Sequence, residues 1–282
     1  MDNNKNKGKF FKYIIYWTPI KLARSNYVFR ILVDVLAYIF YTLYRKNKTF
    51  YFQGTRFPYF YHPYNRTVAS ERIVEIPLAK SILDYYKQQG KKILEVGNVL
   101  AHYFPVNHDV LDKYEKAPGV INEDVQDVKF QKKYDLIISI STMEHVGWTY
   151  GEKKDPGKFL RGIANLKKHL AKNGTMMVTF PLFYRGDLSK LIINRKMPFI
   201  HEYFMKRVSF LNEWGEVNLG KAIKGAAYDT YFANANILYI GFYSRSKPIF
   251  ASGKLKLKSP KLNFLHRIQG SYRLVKAFFE DL

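Results

Sequence analysis

The chain contains no cysteine. This absence excludes a disulfide framework, a cysteine nucleophile, and zinc or iron–sulfur sites ligated by cysteine. Acidic residues are also scarce, because 23 Asp and Glu face 46 Lys and Arg, which gives a net charge of +23. The first residues contain neither the long apolar core nor the small-residue cleavage site of a signal peptide, so we expect a cytoplasmic location, peripheral on a membrane.

The positive charge is concentrated at the two ends of the chain. Residues 1–70 contain 12 Lys or Arg and two acids, and residues 245–282 contain nine and two, whereas residues 71–244 contain 25 and 19. Basic ends favour a polyanionic partner, either an anionic membrane surface or nucleic acid. A lysine-rich compositional background is the alternative explanation.

Residues 1–48 are predicted to form a basic amphipathic extension. The apolar run from Tyr27 to Tyr44 is long enough to span a bilayer, but it contains Arg30 and Asp34. Each charge would cost roughly 2.5–3.5 kcal/mol near the centre of a span. A helix on the membrane surface is therefore favoured, with a helix packed on the protein and a true span as alternatives.

Short β-rich apolar runs alternate with helical segments between residues 91 and 181. That alternation indicates an α/β domain with a parallel sheet, which we place at residues 49–244, followed by a basic tail at 245–282. Strands are expected at 92–96, 108–112, 119–122, 134–140, 174–180, 214–219 and 237–243. Carboxylates and small polar residues follow several of these strands, where α/β sheets bind ligands, and they indicate a nucleoside ligand.

The segments EVGN, HDVLDKYE, GVINEDV and ISTMEHVGW, in this order, resemble class I S-adenosylmethionine-dependent methyltransferases. They are more closely similar to a methyltransferase-like group that is associated with cell-surface polysaccharide genes. The resemblance covers residues 47–244. It implies a three-layer Rossmann-like fold with an antiparallel last strand, S-adenosylmethionine as cofactor, and a glycan-like or small-molecule acceptor.

The first cofactor-binding candidates follow the first two strands of this pattern. Glu95, Gly97 and Asn98 stand where the family has its acidic residue and glycine loop, although Val99 and Ala101 replace two further glycines. Asp112 matches the acid that binds the ribose hydroxyls, for which a carboxylate is a suitable acceptor. A helix cap or an ion pair with Lys113 is the alternative role for Asp112.

Three further candidates come from the resemblance. Asp124 matches the acid beside the adenine amino group, with Asp127 as a rival, and Val125 is expected to pack on the ring. Ser141 follows the fourth strand, on the methyl-transfer side. This segment lacks the Asn- or Asp-Pro-Pro-aromatic tetrad typical of amino-methyltransferases that act on DNA bases.

Glu144 and His145 are the catalytic candidates. A hydroxyl acceptor must lose its proton as it attacks the methyl group, and a histidine or carboxylate can remove that proton. His145 is the expected base, with Glu144 orienting it or the substrate. The alternatives are a structural histidine and a Glu-His metal site, but no third ligand is evident, so no metal is predicted.

Two other functions remain open at this level. The basic ends are compatible with an RNA methyltransferase, although no dedicated RNA-binding signature is present. The incomplete glycine loop is compatible with a non-catalytic binding protein. The leading prediction is O-methylation of a glycan-like or small-molecule substrate near a membrane surface.

Overall fold

The computed structural model describes residues 27–148, 153–228, 234–250 and 257. Its first helix, α1 (Tyr27–Phe40), continues directly into a wider π-helical turn, Tyr41–Arg45. A short hairpin follows, with strands β1 (Thr49–Phe52) and β2 (Thr55–Pro58). Phe50, Phe52 and Phe57 of this hairpin point inward and join the main core, whereas Tyr51 points outward.

A central sheet of eight strands forms the middle layer. In chain order these are β3 (Ile93–Val96), β4 (Asp109–Leu111), β5 (Val120–Ile121), β6 (Tyr134–Ile140), β7 (Leu170–Pro181), β8 (His201–Arg207), β9 (Trp214–Val217) and β10 (Ile237–Tyr243). Across the sheet they are ordered β5-β4-β3-β6-β7-β10-β8-β9. The first five in that order are parallel, whereas β10 is antiparallel to both of its neighbours. The predicted mostly parallel sheet with an antiparallel last strand is confirmed.

Helices cover both faces of this sheet. They are α2 (Arg72–Gln88), α3 (Lys158–Lys168), α4 (Gly186–Ile193) and α5 (Leu219–Ile223). Helix α2 and the hairpin pack on one face, against residues such as Ile138, and α3, α4 and α5 pack on the other, against residues such as Ile137. Successive residues of a strand point to opposite faces, so an all-apolar strand such as β6 supplies both cores and gives the three-layer fold.

Pro77 lies inside α2 and leaves free a backbone carbonyl that binds the segment before the helix. Proline has no backbone N–H, so the carbonyl of Ile73, one turn earlier, has no intrahelical donor. The backbone N–H of Phe60 donates to that carbonyl at 3.2 Å instead. This bond helps to hold residues 59–71 against the helix, and part of that segment forms a wall of the candidate site.

The strand expected at 214–219 is present at Trp214–Val217, but the strand His201–Arg207 was not predicted. The strand beside β10 is β8, and residues 214–217 form an additional antiparallel edge strand, β9. Glu202 and Lys206 interrupt the apolar pattern of β8 in the sequence, and each has its partner elsewhere in the chain. Glu202 accepts from the Tyr239 hydroxyl at 2.9 Å, and Lys206 donates to the carbonyls of Lys221 and Lys224.

The ends of the chain are described only in part. Residues 27–48 contact the α/β domain, so the boundary at residue 48 stays a prediction, and residues 1–26 lie outside the described part. At the other end, Phe250 packs edge-on against Phe52, Phe57 and Phe242, and most of the predicted 245–282 tail lies outside the described residues. Within the ranges that are described, no helix has the length and apolarity needed to cross a membrane.

Candidate active site

Gly97 forms the turn at the carboxyl end of β3. Its φ of +90° is strained for any other residue, and a Cβ atom there would lie 2.1 Å from the Thr142 hydroxyl oxygen. Its backbone N–H donates to the Leu111 carbonyl at 2.8 Å, which binds the turn to β4. Glycine is therefore required for two reasons, its φ and the close packing of Thr142, where β3 and β6 end side by side. A single 3₁₀ turn, Leu100–His102, follows Gly97 and Asn98.

Glu95 holds the loop after β3 from beneath. Its carboxylate is fully buried, and one oxygen accepts from the backbone N–H groups of Val99 and Leu100 at 3.0 and 2.7 Å. The other oxygen lies 2.8 Å from His108 Nε2. Protein groups therefore contact both oxygens, so the geometry gives Glu95 the role of shaping the cofactor loop.

Asp112 lies beside this loop at the end of β4. One carboxylate oxygen accepts from the backbone N–H groups of Tyr114 and Glu115 at 2.9 and 2.8 Å. The other accepts from the Asn98 N–H at 3.1 Å, and the Asn98 amide donates to Glu115 at 2.8 Å. The structure thus brings Gly97, Asn98 and Asp112 together on adjacent strands. No helix follows Asp112, so its bonds to Tyr114 and Glu115 cap a turn rather than a helix, and Lys113 pairs with Asp124.

Asp124 and Val125 lie further along the same edge. The Asp124 carboxylate pairs with Lys158 at 2.7 Å and with Lys113 at 3.0 Å. Partial burial disfavours its charge, but these amines and the Gln126 N–H outweigh burial and lower the pKa of Asp124. The rival Asp127 is exposed. Val125 is buried in the core beside Gly162 of α3.

Ser141 occupies a strained position after β6. Its φ is +38°, its N–H donates to the Thr179 carbonyl at 2.9 Å, and its hydroxyl donates to Glu75 at 2.7 Å. Glu75 is fully buried and also pairs with Arg72 at 2.9 Å. Sequence reasoning missed Glu75 as a site residue. The available signal was three charged residues, Glu71, Arg72 and Glu75, beside an otherwise apolar helical run.

A cavity of about 240 Å³ opens beside Ser141. Its walls come from the segment before α2, from the end of β6 and from later loops, and they include Asn65, Glu71, Arg72, Glu144, His145, Tyr184, Tyr228 and Asn234. Asn65, Ser141 and Asn234 all have positive φ, at 52°, 38° and 67°. Non-glycine residues in this conformation concentrate at functional sites, where surrounding structure holds the strain.

Glu144 and His145 lie together in a 3₁₀ turn, Met143–His145, at this cavity. His145 Nδ1 is 3.2 Å from the Tyr184 hydroxyl, and Nε2 is 3.9 Å from Glu144 Oε1. Partial desolvation lowers the pKa of His145, whose side chain is still 48% exposed, and the charges of Arg72 and Arg185 lower it further. The imidazole is therefore neutral at physiological pH and can accept a proton.

The second oxygen of Glu144, Oε2, is buried and has no hydrogen-bond partner among the described residues. Burial raises the pKa of Glu144 well above its ordinary value, and the charges of Glu75 and Glu71 add to that effect. Burial, reinforced by Glu75, also raises the pKa of Glu71, to about 7. An unpartnered buried carboxyl group is costly, and a polar ligand in the cavity would supply the missing bond.

Arg185 fixes the turn that carries these two residues. Its guanidinium is almost fully buried, pairs with Asp187 at 2.8 Å, and donates to the backbone carbonyls of Glu144 and Val146 at 3.1 and 2.7 Å. Sequence reasoning also missed this residue, because the link spans 41 positions. Arg185 therefore positions the candidate catalytic pair.

The described residues contain no group of three or more His, Cys, Asp or Glu side chains that could hold a metal ion. The Glu144–His145 pair accordingly lacks a third ligand in the described part of the chain.

No protein-family model matches the chain, and no curated protein is significantly similar to it. Solved structures show distant similarity. An S-adenosylmethionine-dependent methyltransferase from Clostridium acetobutylicum is 10% identical, with 76% of this chain and 99% of that chain covered, at a TM-score of 0.33. The N-methyltransferase NodS from Bradyrhizobium japonicum, in complex with S-adenosyl-l-homocysteine, is also 10% identical, with 59% and 84% covered, at 0.34.

The sugar N-methyltransferase KedS8 from Streptoalloteichus is 10% identical as well, with 59% and 86% covered, at a TM-score of 0.30. These scores are low, so the fold class rests on the strand order of this chain itself. That order, with antiparallel β10 inserted between β7 and β8, defines a Rossmann-like methyltransferase fold.

Proposed function

We propose that this protein is an S-adenosylmethionine-dependent methyltransferase that methylates a hydroxyl oxygen of a glycan-like or small-molecule acceptor near an anionic membrane. The observation that carries the proposal is the position of the cavity. It lies at the carboxyl end of β6, the strand beside β3, whose end leads into Gly97 and Asn98, and it presents a histidine with a lowered pKa beside an unpartnered carboxyl group. Parallel α/β sheets bind ligands in the crevice beyond these strand ends.

The residues around the crevice fit the cofactor. Gly97 allows the tight turn after β3, Asp112 and Asn98 supply polar groups for hydroxyls, and Ser141 lines the cavity at the end of β6. When bound, S-adenosylmethionine supplies an electrophilic methyl group on a sulfonium. Glu95, Asp124 and Val125 would contribute by holding the loops in place, since protein groups already contact their side chains.

In the cavity, different side chains bind the acceptor and remove its proton. His145 accepts the hydroxyl proton as the oxygen attacks, and the Tyr184 hydroxyl orients its ring. The Glu144 carboxyl binds the acceptor through its unpartnered oxygen. Arg185 donates to the backbone carbonyls of Glu144 and Val146, on either side of His145, so the turn keeps its geometry when the acceptor enters.

Two features support a glycan-like acceptor. The resemblance to the group associated with polysaccharide genes is one, and the cavity wall is the other. Tyr184, Tyr228 and Asn65 combine aromatic faces with hydrogen-bonding groups, as a polar, hydroxyl-rich ligand requires.

Calorimetric titration with S-adenosylmethionine tests the proposal at its first step. Binding that Asp112→Asn weakens and Asp127→Asn leaves unchanged would support it. No binding to the native chain would identify a non-catalytic protein instead. If the cofactor binds, a screen of glycan, small-molecule and RNA fractions with methyl-labelled cofactor identifies the acceptor, and label confined to RNA would contradict the proposed substrate class.

A further inference from the structure

Helix α1 and the turn after it expose a row of large apolar side chains. Leu32, Leu36, Ile39 and Leu43, here called the leucine stripe, are 51%, 55%, 45% and 83% exposed. Their spacing of four, three and four residues places them on one face of the helix. Single exposed leucines are ordinary, but a continuous row of four indicates an interaction surface.

The opposite face of the same helix is polar and buried. Asp34, Tyr41 and Arg45 are 8%, 7% and 0% exposed. Tyr61 donates a hydrogen bond to the Asp34 carbonyl, and its ring stacks on Tyr41 at 5.2 Å. This polarity is the reverse of that of an ordinary surface helix, which buries its apolar side.

Arg45 fixes the helix in this orientation. Its guanidinium donates to the Leu211 carbonyl and lies 4.5 Å from the centre of the Tyr59 ring. Rolling the helix to hide the leucine stripe would expose these aromatic contacts and break the hydrogen bond of a fully buried arginine. The stripe therefore faces outward as long as the domain is folded.

Basic residues flank the stripe on both sides. Lys46 is exposed directly after it, and Lys48 follows with 41% of its side chain exposed. The preceding sequence contributes Lys5, Lys7, Lys9, Lys12, Lys21 and Arg24. An apolar helical face between cationic residues matches the boundary between anionic lipid headgroups and acyl chains.

We propose that the leucine stripe inserts into the surface of an anionic bilayer while the polar face of α1 remains bound to the α/β domain. This inference rests on the membrane part of the proposed function and adds to it the face that makes contact. It adds to the sequence expectation of a membrane-surface helix at Tyr27–Tyr44 the side of that helix that meets the lipid. Asp34, Tyr38 and Tyr41 lie on the protein side.

The absence of cysteine allows a direct test on the full chain. Leu36→Cys and Leu43→Cys each create a single site for an environment-sensitive fluorophore, and Leu160→Cys, on an exposed leucine of α3, is the matched control. Phosphatidylcholine vesicles containing phosphatidylglycerol should shift the emission of the first two labels to the blue, and brominated acyl chains should quench them. The label at position 160 should not respond. Unchanged emission at positions 36 and 43 would overturn the inference.

Vesicle flotation gives the second readout. The double variant Leu36→Glu/Leu43→Glu should have a vesicle partition coefficient at least about tenfold lower than that of the native chain, because the inserted apolar area is lost. Leu160→Glu should bind as the native chain does. If the double variant bound equally well, the basic residues alone would hold the protein, and membrane association would stand without the stripe.

Two lipid-free measurements test other occupants of the stripe. A sedimentation velocity experiment that shows a dimer, dissolved by the double variant, would assign the stripe to a second copy of the chain. A label at position 36 that is shielded in the full chain and becomes accessible when residues 1–26 are removed would assign it to that segment. Either result would overturn the membrane assignment, and none of these measurements depends on methyl transfer.

Discussion

Single charged groups at the candidate site are defined by what surrounds them. The sequence shows Asp112 only as a carboxylate after a strand. In the structure it accepts from three backbone N–H groups, one after β3 and two after β4, and so joins the ends of the two strands. His145 and Glu144 are neighbours in both, but in the structure desolvation and two arginines lower the pKa of His145, whereas burial and nearby carboxylates raise the pKa of Glu144. Function at this scale depends on environment more than on residue type.

Asp112→Ala should weaken S-adenosylmethionine binding by roughly 1–3 kcal/mol, the size of lost hydrogen bonds to a charged group. Because Asp112 also caps the turn after β4, Asp112→Asn, which keeps one acceptor, separates ligand binding from loop folding. Calorimetry at constant pH measures both variants, with Asp127→Ala as the exposed control. Equal affinity in all of them would remove Asp112 from the ribose site.

His145→Ala should lower turnover by about 10²–10⁴-fold, the usual contribution of a positioned base, and leave cofactor affinity unchanged. Because the pKa of His145 is lowered, the native enzyme should keep its activity below pH 6.5, about where an ordinary histidine becomes protonated. Tyr184→Phe should move this acidic limb without abolishing turnover. The pH profile of kcat/KM with the identified acceptor tests both, and full activity of His145→Ala would return the histidine to a structural role.

Glu71 should make the stability of the protein depend on pH. Its pKa is about 7 in the fold and near its ordinary value of 4.5 when unfolded, so the folded state binds the proton more tightly. The free energy of unfolding should therefore fall by about 3 kcal/mol as the pH rises from about 4.5 to 7. Glu71→Gln, measured by urea unfolding across this range, should reduce that fall by a similar amount. An unchanged slope would contradict the raised pKa.

At the scale of elements, long-range contacts hold the short turns that carry the site. The 3₁₀ turn Met143–His145 has no side-chain cap of its own and depends on Arg185. The segment before α2 depends on the carbonyl freed by Pro77, and the turn after β3 depends on Glu95. Each turn is too short to fold alone, so its geometry belongs to the assembled domain.

Arg185→Met should destabilise the protein by about 3–5 kcal/mol, because it breaks a largely buried ion pair and leaves three backbone carbonyls without this donor. Arg161→Met is the matched control. Its pair with Asp155 is exposed, and exposed pairs contribute about 0–1 kcal/mol. Chemical denaturation measures the two variants, and equal stability losses would show that Arg185 does not hold the turn.

At the scale of the whole molecule, the N-terminal helix and the cavity are connected by one stretch of chain. Residues 59–61 pack beneath α1 and its π-helical turn, and residues 65–72 line the cavity a few positions later. A protein bound to a membrane through α1 would thus have its anchor continuous with the wall of its site. Residues 27–48 are packed on the α/β domain in this arrangement.

Removal of residues 1–48 should lower the melting temperature or yield insoluble protein, because it uncovers Tyr59 and Tyr61 and removes the buried Arg45. Removal of residues 1–26 leaves those contacts in place and is the matched control. Differential scanning calorimetry compares the two truncations with the full chain. A 49–282 fragment as stable as the full chain would support the predicted boundary at residue 48.

The sequence by itself determined the layered α/β fold and the neighbourhood of Gly97, Asn98 and Asp112. Local periodicity and strand-end residues encode these features, since parallel strands place their carboxyl ends at one edge. β8 escaped the same reasoning because Glu202 and Lys206 interrupt its apolar pattern, and their partners lie 15 to 37 positions away.

Only the tertiary structure decided which charges are buried and which face of α1 is exposed. Glu75 and Arg185 join the site through contacts that span 66 and 41 positions. Helical periodicity shows that α1 has a polar and an apolar face, but it does not say which one the protein covers. That choice depends on Tyr59, Tyr61 and the Leu211 carbonyl, which the folded domain places beneath the helix and which bind its polar side.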